Sequence, residues 1–594
     1  MMRLLTWPLR VALNLVRRVR RVRTKQKLII LTFVSVILYV QIWRQGIPAE
    51  FNLASSINFG GITDESTTDA IVCTEYPFYV DITNGNVPVL NSAGLFRDLN
   101  TKMISCGYRE ITSRPRKPDL WQYEKSVAIR YNNPIRVAHY LISCHYFSTL
   151  IQRFENHRFV LNPAEERQQC SPQFGRKRVP SVIMISLSSV SRESMERHMP
   201  VTRDFLLNTL RAFELENYNQ VGADSFENQL ALLTGVATSK SVSKLDFVWS
   251  RFENVSYKTL YLQESPHDGL SGMFAFPPTS YYIQHVVGAI DNSVLKKEVG
   301  RGYCIGDKLA LEFYLEYVTS VAQSDCPLFA YVALNEVAQR DVNSARIVDR
   351  PIASSLKAMR NAGVFNNAAL VFLSDLGMRA GRIKLTHPGR FQDNQPFAFL
   401  ALPPWISHQM QVPDANRRRL TTAFDVHATL LHLSQYPSKW APSTPHGVSL
   451  FREVPAQRTC EMASVPILYC ASACLLTVNT AEPLATSIAL FVVEQVNKLT
   501  ATHLPGKCQP WTFGRVRDIH KCSSTVLKSD YRLSLTVSPG NTVFEATVRV
   551  MRNQSKLRLS LLDPVDRILV RPWNTFCAAG HPSEKYCYCK TRLY

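Results

Sequence analysis

Ala369 to Leu373 is a short apolar run of strand formers that stops on Ser374-Asp375, with Gly377 close behind. A strand this uniformly apolar has both faces covered. The carboxylate that ends it then lies at the C-terminal edge of an α/β sheet, where ligands bind. Beyond it, Met378 to Arg390 is a basic loop punctuated by glycine, and Phe397 to Leu402 is a second apolar run closed by Pro403-Pro404. Similar apolar runs at Ser181 to Leu187, Tyr257 to Leu262 and Leu328 to Leu334 alternate with segments of helical spacing. These segments are Arg203 to Leu215, Leu309 to Val321, Pro351 to Ala362 and Leu420 to Leu433. Asp224 and Glu227 make a capping pair at the start of another helix, which Gly235 ends. Strands alternating with helices predict a mostly parallel sheet covered by helices on both faces.

Two further regions flank this core, which is placed at 180–454. Residues 73–179 form an N-terminal module with Cys73, Cys106, Cys144 and Cys170, and residues 455–594 hold eight of the fourteen cysteines. In the latter, Tyr531 to Val537 alternates in polarity, Pro539-Gly540-Asn541 turns, and Val543 to Val550 alternates back, which is a hairpin signal. The C-terminal region is therefore expected to be β-rich and stapled by disulfides. Cys587 and Cys589, two apart, would share one face of a strand.

The formal charge is +21, yet its distribution argues against a nucleic-acid partner. Residues 1–27 hold nine Lys/Arg and no acid, and 28–43 are uncharged and almost wholly apolar. Positive charge before an apolar span keeps that flank cytoplasmic and sends the rest across the membrane. The expectation is a single-pass type II membrane protein of the secretory pathway or cell surface, with a stem at 44–72. The span is short, so a cleaved signal sequence stays open beside an uncleaved anchor; the long basic leader favours the anchor. An even number of cysteines, all beyond the span, fits disulfides in an oxidising compartment. Asn254-Val-Ser256 and Asn553-Gln-Ser555 are glycosylation acceptors that this topology would expose.

The string Ser374-Asp-Leu-Gly, Arg379-x-Gly-x-Ile, Thr386-x-x-Gly-Arg, Pro396-Phe and Leu402-Pro-Pro-Trp resembles the animal family catalogued as domain of unknown function 229. That family is a branch of the alkaline phosphatase and sulfatase superfamily. Cys73-Thr-Glu-Tyr-Pro and Cys106-Gly-Tyr-Arg resemble its N-terminal part. The resemblance implies an alkaline phosphatase-like α/β core and, in active members, a divalent metal (zinc, manganese or calcium) with an oxygen nucleophile at a helix N-terminus.

Each position carried over from the resemblance has a competing plain reading. The nucleophile position falls on Ser225, which equally suits the first turn of a capped helix. The acid expected after the first strand falls on Ser188, a neutral hydroxyl and a poor ligand. Asp375 keeps its carboxylate, but Leu376 stands where the family has histidine. At the second metal position Gln339 replaces histidine, while Asp349 is retained and also suits a helix start before Pro351. His427 reads as a structural helical histidine and His387 as a spare imidazole in the basic loop. Arg192, Arg379, Arg382, Lys384 and Arg390 would form an anion-binding surface or simply a solvated loop. The resulting expectation is a degenerate member without a cofactor, which binds an anionic glycan, phosphate or protein ligand. The alternative is a metal-dependent phosphate or sulfate ester hydrolase or phosphotransferase using Ser225 and Asp375. A Golgi glycosyltransferase shares the topology but would bring an Asp-x-Asp motif, which the chain lacks.

Overall fold

The computed structural model describes residues 71–590, apart from 72, 74–77, 84, 92–103, 148–152, 166–177, 238–244, 266–268, 301, 340–342, 379–393, 472, 473, 475, 525–527, 554, 555, 569–571, 580 and 582. The basic leader, the apolar span, most of the stem and the basic loop with Arg379, Arg382, Lys384, His387 and Arg390 lie outside the described residues. Among those described, no helix is long and apolar enough to cross a membrane.

The central sheet has seven strands: β1 (Ser181–Leu187), β2 (Phe213–Glu214), β3 (Lys258–Gln263), β4 (Tyr281–Tyr282), β5 (Leu328–Leu334), β6 (Ala368–Leu373) and β7 (Ala398–Ala401). Their order is β4-β3-β5-β1-β6-β7-β2. The pairings from β4 through β6 are parallel, and β7 then runs antiparallel to both β6 and β2. The sheet is thus mostly parallel with an antiparallel side.

The helices used below are α1 (Arg192–His198), α2 (Pro200–Asp204), α3 (Ser225–Thr234), α4 (Val248–Asn254), α5 (Gln284–Asp291), α6 (Ala310–Ala322), α7 (Ala345–Asn361), α8 (Ala423–Ser434) and α9 (Pro483–His503). Alternate residues of the strands enter two separate cores. Ile183, Ile185, Val332, Leu370 and Phe372 pack with Val286, Leu315 and Leu356 of α5, α6 and α7. Val182, Met184, Tyr331, Val371 and Leu373 pack with Leu230, Trp249 and Leu430 of α3, α4 and α8. Two covered faces explain why β1, β5 and β6 read as unbroken apolar runs.

Two helix expectations need correction. α7 begins at Ala345, six residues before Pro351, which lies inside it. Pro351 lacks the N-H that would reach the Ile347 carbonyl, so it sits inside the helix at the loss of one bond and does not mark the start. The helical spacing from Arg203 onward yields only the end of α2 and one π-turn, Phe205–Thr209, before the chain enters β2. The α3 helix is as expected, with Asp224 capping the Glu227 N-H and Gly235 closing it at φ +71°.

Before the central sheet lies an antiparallel sheet that includes Ile104–Arg114, His139–Phe147 and Arg153–Leu161. After it comes an antiparallel sheet containing β8 (Thr512–Ser524), β9 (Lys528–Ser538) and β10 (Thr542–Asn553). The expected hairpin is present, with Tyr531 opposite Val548 and Val537 opposite Thr542. Helix α9 covers this sheet: Ile488, Val492 and Val496 pack on Leu533, Leu535 and Val548. Six disulfides are described: Cys73–Cys304, Cys106–Cys144, Cys460–Cys470, Cys474–Cys522, Cys508–Cys587 and Cys577–Cys589.

Candidate functional site: a serine-aspartate cluster

Parallel β1 and β6 are neighbours, so the residues just beyond their ends meet at one edge of the sheet. Ser188 follows β1, and its hydroxyl donates to Oδ2 of Asp375 across 3.0 Å. Ser225, the first residue of α3, lies near enough for its hydroxyl to favour the charged form of Asp375. The Leu376 N-H donates to Oδ1 at 2.9 Å. Ser374 ties the two strand ends together: its hydroxyl donates to the Leu376 carbonyl at 2.7 Å and accepts the Val190 N-H at 3.1 Å. Ser188, Asp375 and Leu376 are buried, while Ser225 is half-buried.

Burial pushes the Asp375 carboxyl above the usual carboxylate range, against the opposing effect of the nearby Ser225 and Ser188 hydroxyls and the Leu376 N-H. Two buried phenols feel the same charge. Tyr218 and Tyr331 are both raised, first by burial and then by Asp375. Neither stood out as a site residue in the sequence. The available signal was a phenol in the otherwise hydroxyl-free run of β5.

The remaining positions lie in other surroundings. Asp349, in α7, accepts the Thr202 N-H at 2.7 Å and the Val201 N-H at 3.1 Å, capping the first turn of α2 from across the fold. Arg192 and Arg203 both pair with the buried Glu214, at 3.2 and 2.8 Å. Gln339 is half-buried in the turn beyond β5. His427 bonds the Leu232 carbonyl through Nδ1 at 3.1 Å, and burial lowers its pKa to about 4, which keeps the ring neutral. Asn254 ends α4 in an exposed position, and Asn553 ends β10.

The donor set of the cluster does not fit a divalent metal. Such an ion needs several anionic or imidazole donors, and here one carboxylate meets two neutral hydroxyls and an aliphatic side chain. The Ser188 hydroxyl and the Leu376 N-H donate to Asp375 in the place of the positive partner that a metal would supply. Among the described residues, the converging His, Cys, Asp or Glu donors are Cys577, Cys587 and Cys589, all bound in disulfides.

An α/β protein with a serine-aspartate cluster at the C-terminal edge of its sheet is the class this geometry defines. The model of the family "Protein of unknown function (DUF229)" matches residues 78–517, and the chain belongs to that family. A search of curated proteins found no match. Similar solved structures include the lipoteichoic acid synthase LtaP from Listeria monocytogenes, 10% identical, covering 49% of this chain and 80% of that one at a TM-score of 0.34. Another is an alkaline phosphatase superfamily protein from Vibrio parahaemolyticus, 11% identical, with coverages of 67% and 86% and a TM-score of 0.35. A third, a Bacteroides thetaiotaomicron protein from a locus for the metabolism of multiple glycosaminoglycans, is 12% identical, with coverages of 70% and 92% and a TM-score of 0.34.

Proposed function

We propose that this chain is a non-hydrolytic member of its family, built on an alkaline phosphatase-like scaffold, anchored by residues 28–43 and working on the lumenal or extracellular side by binding an anionic ligand. The observation that carries the reading is the donor set around Asp375, where the Ser188 hydroxyl bonds the carboxylate and Leu376 stands beside it. With one carboxylate and no imidazole among the described residues at this strand end, the cluster lacks the donors that would hold a metal to activate the Ser225 hydroxyl. Four basic residues, Arg379, Arg382, Lys384 and Arg390, follow Asp375 in the chain and supply charge for a sulfated or phosphorylated glycan. The six described disulfides and the exposed Asn254 acceptor support the topology.

The test is metal content and ester turnover of the purified full-length protein, with sulfated-glycan binding measured in parallel. Binding that weakens when the four basic residues become alanine, with no retained zinc, manganese or calcium, supports the reading. Turnover of an aryl phosphate or sulfate that is lost on both Ser225→Ala and chelation replaces it with the hydrolase.

A further inference from the structure

Near the C-terminus two disulfides touch. Cys508–Cys587 ties the segment after α9 to the tail, and Cys577–Cys589 closes a short loop within the tail. The Sγ atoms of Cys577 and Cys587 lie 3.5 Å apart although they belong to different bridges. Their remaining partners are also adjacent, because Cys508 and Cys589 face each other in an antiparallel β-bridge. The bonds on either side run from Gln509 N to the Tyr588 carbonyl at 2.7 Å and from Lys590 N to the Lys507 carbonyl at 3.1 Å. Cys508 and Cys589 are therefore a non-hydrogen-bonded pair, a position where Cα atoms stand about 4.5 Å apart and side chains approach closely. That separation is inside the span of about 4.4 to 6.8 Å that a disulfide bridges. The protein already joins two directly opposed cysteines elsewhere, at Cys106–Cys144, with a Cα separation of 4.0 Å.

We propose that these four cysteines form a thiol-exchange site with two alternative pairings, interconverted by a small external thiol. Cys508 is partly exposed, and Cys587 is buried. An external thiolate attacks Cys508 Sγ, forms a mixed disulfide there and releases Cys587 as a thiolate. Cys587 attacks Cys577 Sγ, 3.5 Å away, forming Cys577–Cys587 and expelling the Cys589 thiolate. The Cys577 N-H donates to Cys589 Sγ at 3.0 Å, and a donor at sulfur favours the departing thiolate. Cys589 then attacks Cys508 across the bridge, forms Cys508–Cys589 and returns the external thiolate. Three bonds form and three break, no electrons are gained or lost, and the thiol is recovered unchanged.

Incubating the full-length protein in a glutathione redox buffer under native conditions, quenching by alkylation and mapping linked peptides by mass spectrometry tests this. The expected result is the growth of Cys577–Cys587 and Cys508–Cys589 peptides while Cys73–Cys304, Cys106–Cys144 and Cys460–Cys470 stay intact. Persistence of the original two pairings alone overturns the proposal, and so does indiscriminate scrambling of all the bridges. A second arm uses the Cys577→Ala/Cys589→Ala variant, which keeps Cys508–Cys587 but lacks both the acceptor bridge and the resolving thiol. It should accumulate glutathione on Cys508 well above the wild-type level; equal adduct in the two proteins would show that no internal transfer occurs.

Discussion

Ser188 and Asp375 are 187 positions apart in the chain, and their side chains meet at 3.0 Å where two parallel strands end together. Removing the hydroxyl leaves Asp375 Oδ2 with one donor fewer in a buried site. Ser188→Ala should therefore cost about 1–3 kcal/mol in chemical denaturation. Ser188→Asp sets two carboxylates against each other and should be the less stable variant. Adding Leu376→His to Ser188→Asp supplies the charge and imidazole that the cluster lacks. The double variant should retain close to one zinc or manganese per chain by elemental analysis, and metal should raise its melting temperature.

Glu264, just beyond β3, accepts the Asn335 and Glu336 N-H groups at 2.9 and 3.1 Å. Burial first, and then the charge of Glu336, push its pKa up to about 8 from an ordinary 4.5. A folded-state pKa above the unfolded one means that the native form holds a proton that the unfolded chain has released. The stabilisation is complete below about pH 4.5 and is lost as pH rises through about 8. Melting temperature should fall between pH 6 and 9, and Glu264→Gln, which carries no titrating proton, should flatten that decline.

Arg458 and Asp425 form an ion pair at 2.8 Å with both side chains buried. Arg458 Nη1 reaches both carboxylate oxygens, and the Val448 and Thr422 N-H groups complete the shell around Asp425. Arg458→Leu strands that carboxylate and should cost about 3–5 kcal/mol, whereas removing an exposed pair such as Arg251 and Asp246 should change little.

Asp349 works as a cap supplied from a distant helix. Asp349→Ala frees the Val201 and Thr202 N-H groups at the start of α2 and should destabilise the fold by about 1–2 kcal/mol. Asp349→Asn, which keeps an acceptor oxygen, should recover part of that loss in the same denaturation experiment.

Much of the architecture was legible in the chain because it rests on local periodicity. The apolar run before Ser374-Asp375, the Asp224 cap with its Gly235 stop, and the hairpin from Tyr531 to Val550 each carry their signal within a few residues. The cluster was half legible. Ser188 and Ser225 were picked out by the family resemblance, and Asp375 by that and by its strand end, but their proximity depends on which strands are neighbours, which no local pattern encodes. Pro351 misled because a residue that commonly opens a helix stands inside this one, held there by the packing of Val348, Ile352 and Leu356. Arg192 suggested an anion site, yet the buried Glu214 that holds it lies in β2, on the far side of the sheet order.

The family match ends at residue 517, inside strand β8, while β9 and β10 lie beyond it. Helix α9 lies within the match but buries its apolar side against those later strands. A polypeptide trimmed to the family boundary would carry Ile488, Val492 and Val496 uncovered beside an unpaired strand edge. Such a fragment is primed to self-associate, so poor secretion of it would report a severed sheet and would say nothing about the serine-aspartate cluster.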